Sequence, residues 1–216
     1  MRRRAAWVLL FVAIIFGLVL SFPYLTGGSR LDVPGGPHYW VLVAHVLTAT
    51  VALIVGPAQF IARIRARRRV HRTLGRIYLL GGVLPAGVTA IPVALWSGHL
   101  LTQVSLTTAA ALWLVTGALA YRAARRRDFA AHRRWMLRNY ALTFLAVTSR
   151  VLVPLLLLSR IPFGGPGVGS IGEDAPLMIP IGQTLGWIIN LALVELLIRR
   201  HRLSGRRSDT KMGRQE

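Results

Sequence analysis

The chain reads as an all-α protein, an integral membrane six-helix bundle, on three observations. Six apolar stretches are long enough to cross roughly 30 Å of hydrocarbon, which takes about 20 helical residues each. Short basic segments alternate with those stretches along the chain. Of the 216 residues, 54% are hydrophobic and only 16% charged, which is more apolar surface than a soluble domain of this length encloses.

Spans are expected near residues 5–25, 39–61, 77–96, 100–121, 137–159 and 176–198, in one domain of residues 1–200 followed by a basic, mobile tail at 201–216. Span one follows the triplet Arg2, Arg3, Arg4 and ends on Phe22, Pro23 and Tyr24. No small-residue cleavage site follows, so it reads as an uncleaved anchor and not a secretory signal. Spans two and three flank the first basic loop. Spans three and four are joined by little more than Ser97, Gly98 and His99, a tight hairpin, and spans four and five flank the second basic loop. Pro57, Pro85, Pro92, Pro154 and Pro180 fall within or at the ends of spans. Membrane helices tolerate them where neighbours satisfy the freed carbonyls, and kinks are expected there. Residues 26–38 and 160–175 are rich in Gly and Pro and read as loops. The run from Gly164 to Gly169 lacks the Lys-Ser/Thr of a phosphate-binding loop and is assigned no such role.

Charge orients the bundle. Arg and Lys number three at the N-terminus, seven from Arg63 to Arg76, seven from Arg122 to Arg138 and seven from Arg199 to Arg214, with only Arg30, Arg150 and Arg160 elsewhere. Short basic loops are retained in the cytoplasm. The expected arrangement is therefore multi-pass in a membrane facing the cytoplasm, with both termini inside. A net charge of +20 in a soluble protein would suggest nucleic acid, but here it is divided among membrane-bounded segments and offers no single groove, so no nucleic-acid partner is expected. Anionic headgroups of the inner leaflet are the expected partners, at about 1 kcal/mol per basic residue near the surface. With no cysteine, disulfides and thiolate chemistry are excluded.

The two inner loops resemble each other. Arg67 to Arg69, His71, Arg72, Arg76 and Tyr78 are echoed by Arg125 to Arg127, His132, Arg133, Arg138 and Tyr140. Spans two and three, and spans four and five, thus read either as a duplicated hairpin or as two Arg-rich loops alike by chance. On the outer side the match is approximate, because His45 maps onto Gln103 and not onto His99.

Ionisable groups at membrane depth are costly and mark candidate sites. These are His45, Arg150 and Glu195, with Gln59, Gln103 and Asn190 as polar companions. Arg150, deep in span five, must face the bundle interior or a wet cavity. Glu195 sits near the inner end of span six, within reach of Arg76 or Arg138, where an ion pair fastening the helices is the structural expectation. His71, His132 and His45 are candidate axial ligands of a haem b, whose propionates Arg76 and Arg138 would neutralise. The alternative is that these histidines hydrogen-bond backbone or lipid phosphate. A zinc site is disfavoured by the scarcity of carboxylates, and no serine sits in a nucleophile elbow.

The segments AHVLTATVALIVGPAQF, RRRVHRTLGRIYLLGG and HRRWMLRNYALTFLAVTSR resemble the bacterial membrane-protein family called domain of unknown function 2306. The matching positions are His45, Gly56, Pro57, Gln59, Phe60, His71, Arg72, Gly75, Arg76, Tyr78, His132, Trp135, Met136, Arg138, Tyr140 and Arg150. The resemblance implies a multi-pass membrane protein of undefined activity. A more distant likeness, in outline, is to the di-haem transmembrane cytochrome b reductases, and His99 lies outside the shared pattern.

Two functions follow. In one, an inner-face site of His71, Arg76, His132, Arg138 and Glu195, with Tyr78, Trp135 and Tyr140, binds haem and exchanges electrons with a quinone or small reductant. In the other, a non-enzymatic carrier, lipid-binding protein or scaffold grips an anionic ligand with the same cluster, and His45 and Arg150 line a cavity from the outer side.

Overall fold

The computed structural model describes residues 3–28, 36–159 and 171–212. The expected loops at 26–38 and 160–175 therefore lie mostly outside the described residues. All regular structure in the described residues is helical: α1 (Arg3–Leu25), α2 (Pro37–Ala58), α3 (Ala62–Ala66), α4 (Arg68–Arg76), a π-helical segment (Ile77–Val83), α5 (Leu84–Leu95), α6 (Leu100–Arg125), α7 (Phe129–Thr143), α8 (Leu145–Ser159) and α9 (Ile171–Met212). Five helical stretches are long and apolar enough to cross a membrane: Ala5–Leu25, Pro37–Ala58, Arg68–Leu95, Leu100–Arg125 and Pro176–Arg200. The pair α7 and α8 makes a sixth if taken as one bent span. The α-helical membrane bundle expected from the sequence is the observed architecture.

Packing depends on small side chains, because lipid supplies no hydrophobic drive between helices. On α1, Ala13, Gly17 and Ser21 recur at four-residue spacing and face α2. Gly17 meets Thr50 and Ile54, and Ser21 Oγ lies 2.6 Å from Thr50 Oγ1. Gly82 of the π segment sits so close to α2 that a Cβ there would come within 2.9 Å of the Ala52 backbone.

Three departures from the expected spans have physical causes. First, span three is helical from Arg68, so the basic loop is itself mostly helix, and it contains the π segment. Pro85 has no N–H to offer the Gly81 carbonyl, and the Leu84 N–H reaches back five residues to Leu79, which absorbs the defect. Second, span five is bent by 44°, not at Pro154 but between Thr143 and Leu145. Asn190 of α9 clamps the bend: its Nδ2 donates to the Ala141 carbonyl (3.0 Å) before it, and its Oδ1 accepts from Thr148 Oγ1 (2.9 Å) after it. Third, α9 continues to Met212 through the segment read as a mobile tail. No proline follows Pro180, and the Arg-rich sequence has good helix propensity.

The turn joining α5 to α6 is short, as expected, and the one joining α6 to α7 is shorter than the basic loop read between spans four and five. Gly98 (φ 74°) reverses the chain between α5 and α6, and Gln103 Nε2 clasps the Leu95 carbonyl at 2.9 Å across the turn. Arg127 (φ 60°) and the Asp128 side chain, which caps α7 by accepting from the Ala131 N–H at 2.8 Å, reverse it between α6 and α7. The first basic loop instead inserts α3, so the two similar sequences join their hairpins differently.

Candidate functional site

The bundle's core holds a closed polar network. The Tyr78 hydroxyl donates to Asn139 Oδ1 (2.6 Å) and lies 2.9 Å from Thr143 Oγ1, which accepts from the Trp113 indole N–H at 2.9 Å. Asn139 uses both amide hydrogens, on the Trp113 carbonyl (2.7 Å) and Thr116 Oγ1 (2.9 Å). Tyr78 and Asn139 are wholly buried. A second tyrosine hydroxyl, Tyr140 Oη, donates to the Leu53 carbonyl at 3.2 Å. That carbonyl is four residues before Pro57, whose missing N–H frees it, so Tyr140 supplies the outside donor that a proline in this span requires. Sequence reasoning singled out both tyrosines as ligand candidates. The structure turns their hydroxyls inward and gives each a protein partner. Asn139, Trp113, Thr116 and Thr143 were missed, although an Asn within an apolar span is a polar group that must find partners.

At the basic end of the bundle, Arg138 directs Nε (3.1 Å) and Nη2 (2.7 Å) onto a single carboxylate oxygen of Glu195. Its guanidinium also lies 4.8 Å from the ring centroid of Trp135. This is the expected ion pair, and it ties α7 to α9. Arg76 is exposed at the end of α4. His132 Nδ1 lies 2.9 Å from the Ala120 carbonyl, so that nitrogen carries the hydrogen. His71 Nδ1 and Gln59 Nε2 are buried and make no hydrogen bond. His71 and His132 come close enough to interact electrostatically. The interior that a macrocycle between them would have to enter is filled by Tyr78, Asn139, Trp113 and Tyr140, and Gly56 packs directly against the Tyr140 ring. A bis-histidine haem slot in this core does not fit those residues. Among the described residues, no group of three or more His, Asp or Glu side chains has metal-binding geometry.

At the opposite end the helices part around a cleft of about 290 Å³. Its walls come from α1, α2, α5, α6, α7, α8 and α9, and Trp113 and Thr143 of the core network also line it. His45, Arg150 and Gln183 are its principal polar groups, and Ala90, Ala94 and Ala109 give it room. His45 Nδ1 lies 2.9 Å from the Ala86 carbonyl. A carbonyl can only accept, so Nδ1 donates and the neutral ring keeps its lone pair on Nε2. Arg150 Nη1 donates to the Ala146 carbonyl at 2.9 Å, laying the side chain back along α8. His45 and the exposed Arg150 both line this cleft, and Gln183 joins them from a helix that sequence reasoning had not connected to the site.

An all-helical bundle with several apolar spans, small residues at its helix contacts and a buried polar network defines a polytopic α-helical membrane protein. The chain matches, over residues 42–198, the family model described as Predicted membrane protein (DUF2306), and it belongs to that family. No curated protein and no solved structure matches the chain.

Proposed function

We propose that the protein is a non-enzymatic binding protein of the membrane, which holds a single-chain amphiphile with an acidic headgroup in the cleft between His45 and Arg150. One observation carries this reading: a mostly apolar cleft lined by small side chains brings together an imidazole acceptor, a guanidinium and a carboxamide. A phosphate monoester retaining one proton donates its O–H to His45 Nε2 and sets its remaining charge against Arg150, whereas an ionised carboxylate makes the charge contact alone; in either case the chain lies along Ala90, Ala94 and Ala109. The volume, at the lower edge of the roughly 300–1,000 Å³ typical of small-molecule sites, suits a headgroup and the first part of a chain. In the same proposal the basic end faces the cytoplasm, where short Arg-rich loops are retained and anionic headgroups are attracted.

Titration of the detergent-purified protein with dodecyl phosphate and with laurate, read by tryptophan fluorescence, tests the proposal, with a neutral dodecyl glycoside as control. Saturable binding of an acidic amphiphile is expected, weakened at least tenfold by His45→Phe and by Arg150→Leu. Absence of saturable binding to the parent, or unchanged affinity in both variants, defeats it.

A second reading is favoured by one feature. The Nδ1–H of His45 on a backbone carbonyl is the arrangement that fixes metal-ligating imidazoles, which supports a b-type haem on His45 Nε2 and electron exchange with a quinone or small reductant. The cleft is smaller than a porphyrin, so its walls would have to part. A Soret band in protein grown with haem precursor, sharpening on dithionite reduction and lost in His45→Ala, would select this reading over the first.

A further inference from the structure

The basic end holds polar groups that no described residue satisfies. Gln59 ends α2, retains only 5% of its exposure, and buries an Nε2 that makes no hydrogen bond. Buried side-chain donors are almost always paired, and each exception points to an absent partner. His71 Nδ1, one helix away, is the second such atom. Their helices, α2 and α4, are in contact. A Cβ built on Gly75 would lie 3.8 Å from Gln59 Oε1, which places the Gly75 face of α4 over Gln59. His71 is four residues from Gly75 and therefore shares that face. His132 approaches from α7 with Nδ1 committed to Ala120, leaving Nε2 to turn toward the same region. Helix α2 touches both α4 and α7.

The surrounding charge identifies the missing partner's sign. From Gln59 through Arg76 the chain carries seven arginines and no carboxylate. Among the described residues the salt bridges join Arg138 and Arg199 to Glu195, and no arginine of α3 or α4 is neutralised by an acidic side chain. An amide N–H, two imidazoles and surrounding guanidinium groups, presented without an acidic partner, match a tetrahedral oxyanion better than a metal or a neutral ring.

We propose that Gln59, His71 and His132, where α2, α4 and α7 meet at the basic end, form a binding site for a phosphate group. Gln59 Nε2 and a ring nitrogen of His71 donate to two phosphate oxygens, His132 approaches a third, and the α4 arginines supply the field. The site is separate from the cleft holding His45 and Arg150, so either can fail without the other. Two sources share the chemistry: the headgroup of an anionic phospholipid, and free phosphate.

The two most informative substitutions remove no formal charge. Gln59→Leu and His71→Leu delete the hydrogen-bonding atoms and leave all seven arginines in place, whereas Arg125→Gln, on the other loop, removes a charge and no donor of the site. Thermal unfolding of the detergent-purified parent should be shifted upward by short-chain phosphatidylglycerol and not by the matching phosphatidylcholine. The concentration giving half the shift should rise at least tenfold in Gln59→Leu and in His71→Leu and change less than twofold in Arg125→Gln. A shift with inorganic phosphate as well would assign the site to the phosphate group alone, and a shift with the lipid alone would assign it to the membrane. If neither ligand shifts the parent, or if Arg125→Gln weakens binding as much as the Leu variants do, the proposal is wrong. Should His71→Leu fail to fold, His71→Gln, which restores a donor of similar reach, must bind within threefold of the parent. A His71→Gln protein that folds without binding also overturns it.

Discussion

Tyr140→Phe isolates one hydrogen bond whose reason for existing is visible in the sequence. The hydroxyl donates to the Leu53 carbonyl, which Pro57 cannot reach with a backbone N–H. The ring itself is held by Gly56, Phe60 and Phe144, so deleting the oxygen leaves its position unchanged. Stranding a buried acceptor costs about 1–3 kcal/mol in soluble proteins. Interhelical bonds measured in a membrane protein average roughly 0.6 and reach about 1.7 kcal/mol. The Leu53 carbonyl is buried and Tyr140 is its outside donor, so the upper half of the membrane range applies. We expect a loss of about 1–2 kcal/mol, a factor of roughly 5–30 in the folded-to-unfolded ratio. The assay is reversible unfolding in mixed micelles with increasing dodecyl sulfate, read by far-ultraviolet circular dichroism. The decisive comparison repeats the substitution in a Pro57→Ala background, where residue 57 regains an N–H for Leu53. Any void left by removing the proline ring is present with and without Tyr140→Phe in that background and cancels. There the cost of Tyr140→Phe should fall below about 0.5 kcal/mol, the usual limit of additivity for uncoupled sites. Equal costs in the two backgrounds would refute the reasoning, because the hydroxyl would then be doing something other than replacing proline's missing donor.

Gly82→Ala should prevent assembly or cost about 1–3 kcal/mol by overpacking, because its Cβ would meet the Ala52 backbone, whereas Gly81→Ala, with open space around it, should be tolerated; the same unfolding assay compares them. Arg138→Leu leaves Glu195 with the long 3.9 Å contact to Arg199 at a partly buried helix contact and is expected to lose folded yield. Arg138→Lys should recover only part of it, since a lysine cannot place two N–H groups on one carboxylate oxygen while stacking on Trp135. Fluorescence-detected size exclusion of fusion proteins ranks the three. A topology reporter fused after Ser204 should read cytoplasmic, and one placed at Gly98 should read external.

The number and order of spans could be read from the sequence because each span is a long apolar run bounded by charge, a one-dimensional signal. Breaks inside a span could not. Span five bends at Phe144, and what holds the bend is Asn190, a residue on another helix that only the folded chain brings near Ala141 and Thr148. The proline rule pointed instead to Pro154. The site was legible in the same measure. His45 and Arg150 were read as lining a cavity in one of two alternatives, and Glu195 was given Arg76, Arg138 or the inner-loop arginines as partners, of which Arg138 is the one bonded. Tyr78 and Tyr140 were singled out as ligand candidates from the repeat and the family pattern. Their partners are a side-chain amide 61 residues away and a carbonyl 87 residues away, separations that no local pattern encodes.

Consecutive residues of α7 explain why that helix carries so much of the molecule. Successive positions on a helix turn by about 100°, so neighbouring side chains face different helices. Arg138 binds Glu195 on α9, Asn139 binds Trp113 and Thr116 on α6, and Tyr140 binds Leu53 on α2. From Asn139 to Thr143 every residue is buried. A helix read by its single apolar stripe would be expected to bury one face, but α7 is surrounded, and its polar residues are the ones that name its neighbours. One turn further, Thr143 belongs both to the network and to the wall of the cleft, and Arg150 of α8 lines the same cleft beyond the Asn190 clamp. The basic end, the buried network and the cleft are thus joined along one helix pair by contiguous contacts. A ligand that fills the cleft against Trp113 and Thr143 must therefore change the packing of the residues that hold α7 in place, and ligand binding and bundle stability should be coupled.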